Sequence, residues 1–161
     1  MFTHMIKEIQ KDVTTVEKGI VLHQVNCMGV MGSGVALAIK NKWPKVYDDY
    51  VGLFKLYKTK PWNLVGDTQC IEIDENLFVM NLFGQYDFGT DYRRTEYGSI
   101  RYGLRAIRYS GWYARYELEK RDIYIPYKMG CDRGGGDWNI VYDMIKTLLD
   151  NDDRTIYICR L

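Results

Sequence analysis

Histidine, proline and paired cysteine are all scarce in this 161-residue chain, and each scarcity excludes something. The only histidines are His4 and His23, too few for a His-based metal centre. Cys27, Cys70, Cys131 and Cys159 form no Cys-x-x-Cys pair, so neither a structural zinc site nor a disulfide framework is expected. Reduced thiols point to a cytoplasmic protein without metal or cofactor. Net charge is also nearly missing: 22 basic residues against 21 acidic ones leave +1. That argues against a strongly basic nucleic-acid wrapper, and 47% apolar residues argue against a disordered chain. No apolar run approaches the roughly 20 residues of a membrane span. The opening MFTHMIKEIQKD has no apolar core, so no secretory leader is expected there. The length suits a single domain over 1–161.

Glycine, in contrast, is in excess. There are 15, where an average of about 7% gives about 11. Seven of them sit in two short stretches, Gly29, Gly32 and Gly34, then Gly130, Gly134, Gly135 and Gly136. Clustered glycine marks backbone that turns sharply or is closely approached.

Between these stretches the hydrophobic pattern alternates in type. HMIKEIQ (4–10) alternates as a half-buried strand, and GIVLHQV (19–25) reads as a central strand. GSGVALAIKNKW (32–43) reads as a helix with Ser33 as its N-cap. Pro44 ends that helix and opens another, which carries Tyr47, Tyr50, Val51 and Phe54 on one face. DTQCIEI (67–73) and LFVMNLF (77–83) read as a hairpin around the turn Asp74-Glu75-Asn76. FGQYDFGTDYRRT (83–95) has no period and reads as a functional loop. Tyr97, Ile100, Leu104 and Ile107 follow at helical spacing, with Arg101, Arg105 and Arg108 on the other face. DIYIPY (122–127) is strand-like. Asp137 caps a helix carrying Val141, Met144, Ile145 and Leu148, and RTIYICRL (154–161) is a last strand. This order predicts a layered α/β domain with a mixed sheet.

Both glycine clusters follow a strand and precede a helix. The first, in GIVLHQVNCMGVMGSGVALAIK (19–40), aims backbone N–H groups and a helix N-terminus at whatever lies beyond the strand. Its order differs from the dinucleotide and Walker A fingerprints. The second, YIPYKMGCDRGGGDW (124–138), repeats the plan. Two such loops at one sheet edge could cradle a pyrophosphate with neutral amides, which suits a nearly uncharged chain. Each loop taken singly is equally well read as a flexible joint.

HQVNCMGVMGSGVALAIKNKWP (23–44) resembles the signature of the macro domain family. It is most similar to the branch with an Asn-Cys-x-Gly-x-x-Gly-x-Gly-x-Ala pattern, where ADP-ribose 1''-phosphate phosphatases and terminal ADP-ribose glycohydrolases are found. MGCDRGGGDW (129–138) resembles that branch's second phosphate loop, and KDVT (11–14) its first strand–loop corner. LFGQYDFG (82–89) resembles phage and bacterial members, which implies a host-cytoplasmic location if the source is a phage. The resemblance implies a three-layer α/β/α fold and ADP-ribose or a derivative as ligand. It implies that Asp12 and Val13 meet the adenine, and that Asn26 bonds the distal ribose. Gly32, Ser33, Gly34 and Val35 would wrap the ribose and phosphates, and Cys131, Asp132, Arg133, Gly134, Gly135 and Gly136 would close from the other side. Asp12 and Asn26 can equally be turn formers, and His23 a core histidine. The phosphatase branch resembles this chain in placing a histidine at His23's offset, which implies a catalytic role for it, and histidine suits proton transfer near neutral pH.

Departures from the pattern matter too. The glycohydrolase branch uses a lysine in the loop before the long helix, yet residues 84–96 contain none. Its second-loop aspartate falls on Gly134, while Asp132 replaces a glycine. A carboxylate there would repel a pyrophosphate unless Arg133 offsets it, or it would act in acid–base work. Gln85, Tyr86, Tyr92 and Arg94 suggest a lid, with Arg94 as a cation for a terminal phosphate. Nine of the 14 tyrosines fall between Tyr86 and Tyr127, and seven of the 10 arginines between Arg93 and Arg121. An amphipathic helix explains that block better than a nucleic-acid platform. The catalytic set expected is His23, Asn26 and Asp132, for hydrolysis of ADP-ribose 1''-phosphate. The alternatives are a non-catalytic ADP-ribose reader, or a hydrolase removing ADP-ribose from protein or nucleic acid. Macromolecular partners would be ADP-ribosylated ones, with no membrane.

Overall fold

Residues 19–25 and 77–83 carry large aliphatic side chains at successive positions, so neither face of either strand tolerates water. In the computed structural model both are central strands, with every residue of 77–83 buried and only Gln24 of 19–25 partly exposed. The structure describes residues 6–109, 117–150 and 154–161. Its elements are β1 (Ile6–Gln10), β2 (Gly19–Val25), α1 (Gly34–Lys42), α2 (Pro44–Leu56), β3 (Thr68–Glu72), β4 (Leu77–Phe83), α3 (Tyr97–Tyr109), β5 (Ile123–Pro126), α4 (Trp138–Leu149) and β6 (Ile156–Arg160). Short 3-10 turns cover Val13–Thr15, Pro61–Leu64 and Leu118–Lys120.

The sheet order is β1-β6-β5-β2-β4-β3. All neighbours pair in parallel except β3 and β4, which form the expected antiparallel hairpin. The sheet is therefore mixed. One hydrophobic cluster joins Ile20, Leu22, Met80 and Leu82 to Ile100, Leu104 and Ile107 of α3 and to Val141 and Ile145 of α4. The other joins Val21, Val25 and Val79 to Ile39 of α1 and to Val46 and Tyr50 of α2. Helices thus cover both faces, giving three α/β/α layers. Edge strand β1 is fastened by Arg160 of β6, which pairs with Glu8 and stacks 3.7 Å above the Tyr127 ring.

Pro44 opens α2, and Asp137 caps α4 by accepting from the Asn139 N–H at 2.9 Å. Ser33 precedes α1 as expected, but its side chain makes no capping bond. In α4 the half-buried Leu148 packs against the core as expected, and Leu149 beside it is fully enclosed. Residues 4 and 5 of the first expected strand, and Tyr113, Arg115 and Tyr116 of the tyrosine–arginine block, lie outside the described residues. Among the described residues, no helix is long and apolar enough to cross a membrane.

Because β2, β4 and β5 are parallel, the segments that follow them, residues 26–33, 84–96 and 127–137, emerge at the same edge of the sheet. That edge is where ligands bind in open α/β sheets.

The two faces of α3 should respond differently to substitution. Leu104 is fully buried and Arg105 is exposed. Leu104→Ala should cost about 2–5 kcal/mol, and Arg105→Ala less than about 0.5 kcal/mol. Urea denaturation of both variants checks this; a large loss from Arg105→Ala would show that the arginine face is not merely solvated.

Candidate active site

The three segments enclose a cavity of about 510 Å³. Its walls include His23 and Asn26 from the end of β2, Gly32 to Ala36 from the start of α1, Gln85 and Phe88 to Thr90 after β4, and Tyr127, Lys128, Asp132, Arg133 and Gly134 after β5. A larger hollow of about 670 Å³ lies between the first turns of α3 and α4, but none of the residues singled out for chemistry lines it.

The first loop is held by Asn26 and Tyr50. Asn26 Oδ1 accepts from the Met28 N–H at 2.9 Å, and its Nδ2 donates to the Val30 carbonyl at 2.8 Å. The Tyr50 hydroxyl, fully buried on α2, lies 2.8 Å from both Asn26 oxygens and accepts from the Val30 N–H at 3.1 Å. Burial raises the pKa of that phenol, so it stays a neutral donor. Asn26 is thus chiefly a loop former, with one Nδ2 hydrogen left over. Beyond the loop, Gly34 opens α1 at φ +60, a conformation that disfavours any side chain. The N–H groups of Gly34, Val35 and Ala36 have no carbonyl within their own helix, and Ser33 does not take one. This N-terminus lies open at the cavity wall.

A buried polar knot ties the other two loops together. Gln24 points to the opposite face of β2 from His23, and its Nε2 donates to Gln85 Oε1 at 2.7 Å and to Thr95 Oγ1 at 2.8 Å. Thr95, fully buried, passes its own hydroxyl proton to the Gly130 carbonyl at 2.6 Å. The Gly134 carbonyl accepts from the N–H groups of Arg94 and Thr95. Gly134 has to be glycine here, since a Cβ would lie 2.2 Å from Thr95 Oγ1 and 2.7 Å from the Gly130 carbonyl. Much of the second glycine cluster therefore serves close packing and not phosphate approach.

The lid expected from Gln85, Tyr86 and Arg94 needs correction. Arg94 bonds Asp87 at 2.8 Å and Asp91 at 2.5 Å, and lies over the Tyr92 ring. Two carboxylates consume its charge, so it staples its own loop and offers no cation to a terminal phosphate. Gln85 lines the cavity but is tied to Gln24 and to the Asp87 carbonyl. The Tyr86 side chain does not line the cavity; its backbone carbonyl accepts from the Cys27 N–H.

The cations of the site come from the third segment. Lys128 and Arg133 are exposed and line the cavity, with the exposed carboxylate of Asp132 between them in sequence. Lys128 holds a left-handed backbone, φ 64, which is unusual for a residue with a side chain. The N–H groups of Cys131 and Gly136 are spent on the Lys128 and Gly130 carbonyls. The Cys131 thiol, pushed up to about 11 by burial, is no nucleophile at neutral pH. α4 is sealed by Asp137, whose own N–H donates to the Tyr97 hydroxyl.

His23 sits at the base of this arrangement, 1% exposed. Its Nε2 is 2.6 Å from Asn81 Oδ1, while Nδ1 is buried without a hydrogen-bond partner. Burial drives its pKa down to about 4, against the opposing pull of the Asn81 bond. The ring is neutral at physiological pH, as a base and not an acid. Among the described residues, no cluster of three or more acidic, histidine or cysteine side chains could hold a metal.

No family model matches the chain. Its fold superposes on a macrodomain protein from Streptomyces coelicolor with a TM-score of 0.77, over 97% of this chain and 99% of that one, at 20% identity. The macrodomain of Thermus aquaticus DarG gives a TM-score of 0.75 over 98% and 99%, at 18% identity. This chain is a macrodomain by fold. Thermosipho africanus DarTG, solved in complex with ADP-ribose, superposes at a TM-score of 0.75 and 21% identity; 99% of this macrodomain covers 42% of that chain. By sequence, 61 residues are 43% identical to the ADP-ribose 1''-phosphate phosphatase of Aspergillus oryzae, spanning 37% of this macrodomain and 30% of that protein.

Several of the singled-out residues lie off the cavity wall of this macrodomain. Asp12 ends the β1 segment, where its Oδ1 accepts from both the N–H and the hydroxyl of Thr14, which also holds its pKa below the usual range. Val13 is buried in the core. Cys131, Gly135 and Gly136 are not among the residues that line the cavity. Conversely, Gln24, Thr95, Tyr50, Asn81 and Lys128 act at the site without having been anticipated. Gln24 and Asn81 carry a signal, each as an amide in an otherwise apolar strand.

Thr95→Val keeps the shape but removes the hydroxyl's bonds to Gln24 Nε2 and to the Gly130 carbonyl, which keep only their bonds to Gln85 and to the Gly136 N–H, and should cost roughly 1–3 kcal/mol. Equal denaturation midpoints for the variant and the parent would remove the knot from the account. His23 makes a pH prediction. Its pKa falls on folding, from 6.5 to about 4, so its stabilisation is complete above about pH 6.5 and is lost as pH falls toward 4. The loss is on the order of 3 kcal/mol. His23→Gln should flatten that part of the stability–pH curve; identical curves would contradict it.

Proposed function

We propose that this macrodomain binds ADP-ribose or a derivative in its cavity and hydrolyses ADP-ribose 1''-phosphate to ADP-ribose and inorganic phosphate. The observation that carries the reading is the open N-terminus of α1 lining one cavity with Lys128, Arg133 and the neutral ring of His23. Amide donors and two cations suit a multiply charged phosphate ester, and about 510 Å³ falls within the usual range for small-molecule sites. The activity for which the Aspergillus oryzae relative is named supports the reaction, and the ADP-ribose complex of the Thermosipho africanus protein supports the ligand.

In this mechanism the α1 amides, Lys128 and Arg133 neutralise phosphate oxygens. The remaining Nδ2 hydrogen of Asn26 meets a ribose hydroxyl. Water attacks phosphorus, the bond from phosphorus to the 1''-oxygen breaks, and His23 Nδ1 takes the water's proton and returns it to the leaving oxygen. Asp132 at the rim passes protons to solvent. Proton transfer of this kind contributes roughly 10²–10⁴-fold. A second reading, a binder without turnover, is favoured by the burial of His23. Removal of ADP-ribose from macromolecules would use the same cavity, but loop 84–96 supplies no lysine for a covalent route.

Incubation with ADP-ribose 1''-phosphate should release phosphate, and His23→Ala should slow release by about 10² or more. Absent release together with calorimetric ADP-ribose binding establishes the binder. Lys128→Gly relieves a left-handed backbone and should hold or raise stability by up to about 1 kcal/mol while weakening ADP-ribose binding. Unchanged affinity would take Lys128 out of the site.

A further inference from the structure

Three polar side chains form a row across the sheet, each on a different strand. The parallel register pairs His23 of β2 with Asn81 of β4, and the antiparallel register pairs Asn81 with Gln69 of β3. His23 Nε2 lies 2.6 Å from Asn81 Oδ1, Asn81 Nδ2 donates to Gln69 Oε1 at 3.1 Å, and Gln69 Nε2 donates to the Asp49 carbonyl of α2 at 2.9 Å. Asn81 is fully buried and His23 nearly so. An apolar residue at position 81 would complete the core of β4, whose other six residues are all hydrophobic.

The row has only one self-consistent polarity. A backbone carbonyl can only accept, so Gln69 must turn its nitrogen to Asp49 and its oxygen to Asn81. Asn81 must then donate to Gln69 and offer its oxygen to His23. An oxygen at 2.6 Å from an imidazole nitrogen requires that nitrogen to carry the proton. Reversing any one amide sets acceptor against acceptor or donor against donor inside the core, where unpaired polar groups are most costly. The neutral ring is left with one acceptor, Nδ1, which is buried and has no hydrogen-bond partner among the described residues.

We propose that Asn81 and Gln69 are positioning residues that relay the polarity of the Asp49 carbonyl to His23, fixing its proton on Nε2 and leaving the buried Nδ1 as the free acceptor of this cavity-lining residue. This deepens the phosphatase reading and rests on it only for the rate effect: Nδ1 is the nitrogen that takes the proton of the attacking water. The same relay excludes the tautomer that would present an N–H there, so the ring favours a ligand hydroxyl or water over a bare phosphate oxygen.

Ring-nitrogen NMR on ¹⁵N-labelled protein tests the relay directly. His23→Gln assigns the signals, since His4 is the only other histidine. At about pH 7 the expected pattern is a neutral His23 with a protonated Nε2 and a bare Nδ1. A protonated Nδ1, or a charged ring, overturns the proposal. Gln69→Leu, on the half-buried edge strand, frees the Asn81 amide to turn and should give a mixture of tautomers; Asn81→Leu should do so fully. Leu104→Ala, a core change remote from the row, should leave the tautomer unmoved. In the Gln69→Leu enzyme, kcat should fall about tenfold with KM within about twofold, part of what proton transfer supplies. A Gln69→Leu protein that folds and keeps both the wild-type tautomer and kcat overturns the proposal even if Asn81→Leu does not fold. If wild type releases no phosphate, the phosphatase reading fails, and the relay is still decided by the NMR pattern.

Discussion

The Thr95 hydroxyl, shut away from water, decides where the walls of the cavity stand. It receives a hydrogen bond from Gln24 at the end of β2 and gives one to Gly130 beyond β5, while its own N–H bonds Gly134. The end of β2 and the loops that follow β4 and β5 are thereby fixed to a single point. Elementary sterics do the rest. The backbone of residues 130–134 approaches so closely that a side chain at Gly134 would overlap the hydroxyl itself. The glycines that look like a phosphate cradle in the sequence are, at this loop, the condition for making the knot. Whatever donors the loop offers to a ligand are those that the knot leaves unused.

A corresponding lock holds the first loop. Tyr50 reaches from α2 to Asn26 and Val30, so the helix that covers one face of the sheet also sets the shape of the segment leading into α1. The two locks reach in from opposite faces of the sheet: Tyr50 packs in the cluster of Val21 and Val25, whereas Gln24 alternates with them onto the other face. One strand end thus organises both loops. This explains why Gln24 and Asn26, with Val25 between them, bring polar side chains to the end of an otherwise apolar run.

The sequence made the strands and helices legible wherever burial alone dictates them. β2 and β4 read as unbroken apolar runs, α2 begins at its proline, and α3 separates its leucine and isoleucine face from its arginines. What stayed hidden depends on partners distant in the chain. Gln24 and Thr95 are 71 residues apart, His23 and Asn81 58. No local pattern announces that an asparagine inside LFVMNLF will meet a histidine two strands away in sequence order. Arg94 was misread for the same reason: its charge looks available until Asp87 and Asp91 fold back on it. Ser33 occupies a capping position, yet the chain enters α1 extended and its hydroxyl is not turned onto the helix.

That uncapped serine sharpens the question of where an anion would settle. Both glycine loops lead into helices, and a symmetric cradle would use both N-termini. The two ends differ in what their own chain has already taken. At α4, Asp137 accepts from Asn139 and brings a carboxylate to the positive end of the helix, so an incoming phosphate would displace a satisfied bond and face a like charge. At α1, the first-turn amides have no capping side chain, no carboxylate lies within that turn, and Gly34 leaves open space where a side chain would stand. The electrostatic gain of an anion is the same in kind at both ends, but only at α1 is it free of competition. The asymmetry also accounts for Lys128 and Arg133: with α4 closed, charge on the far side of the cavity has to be met by side chains. A nearly neutral chain thus presents amides at one wall of the cavity and two cations at the other. Asp132, between those cations in sequence, sets one negative charge against their two positive ones.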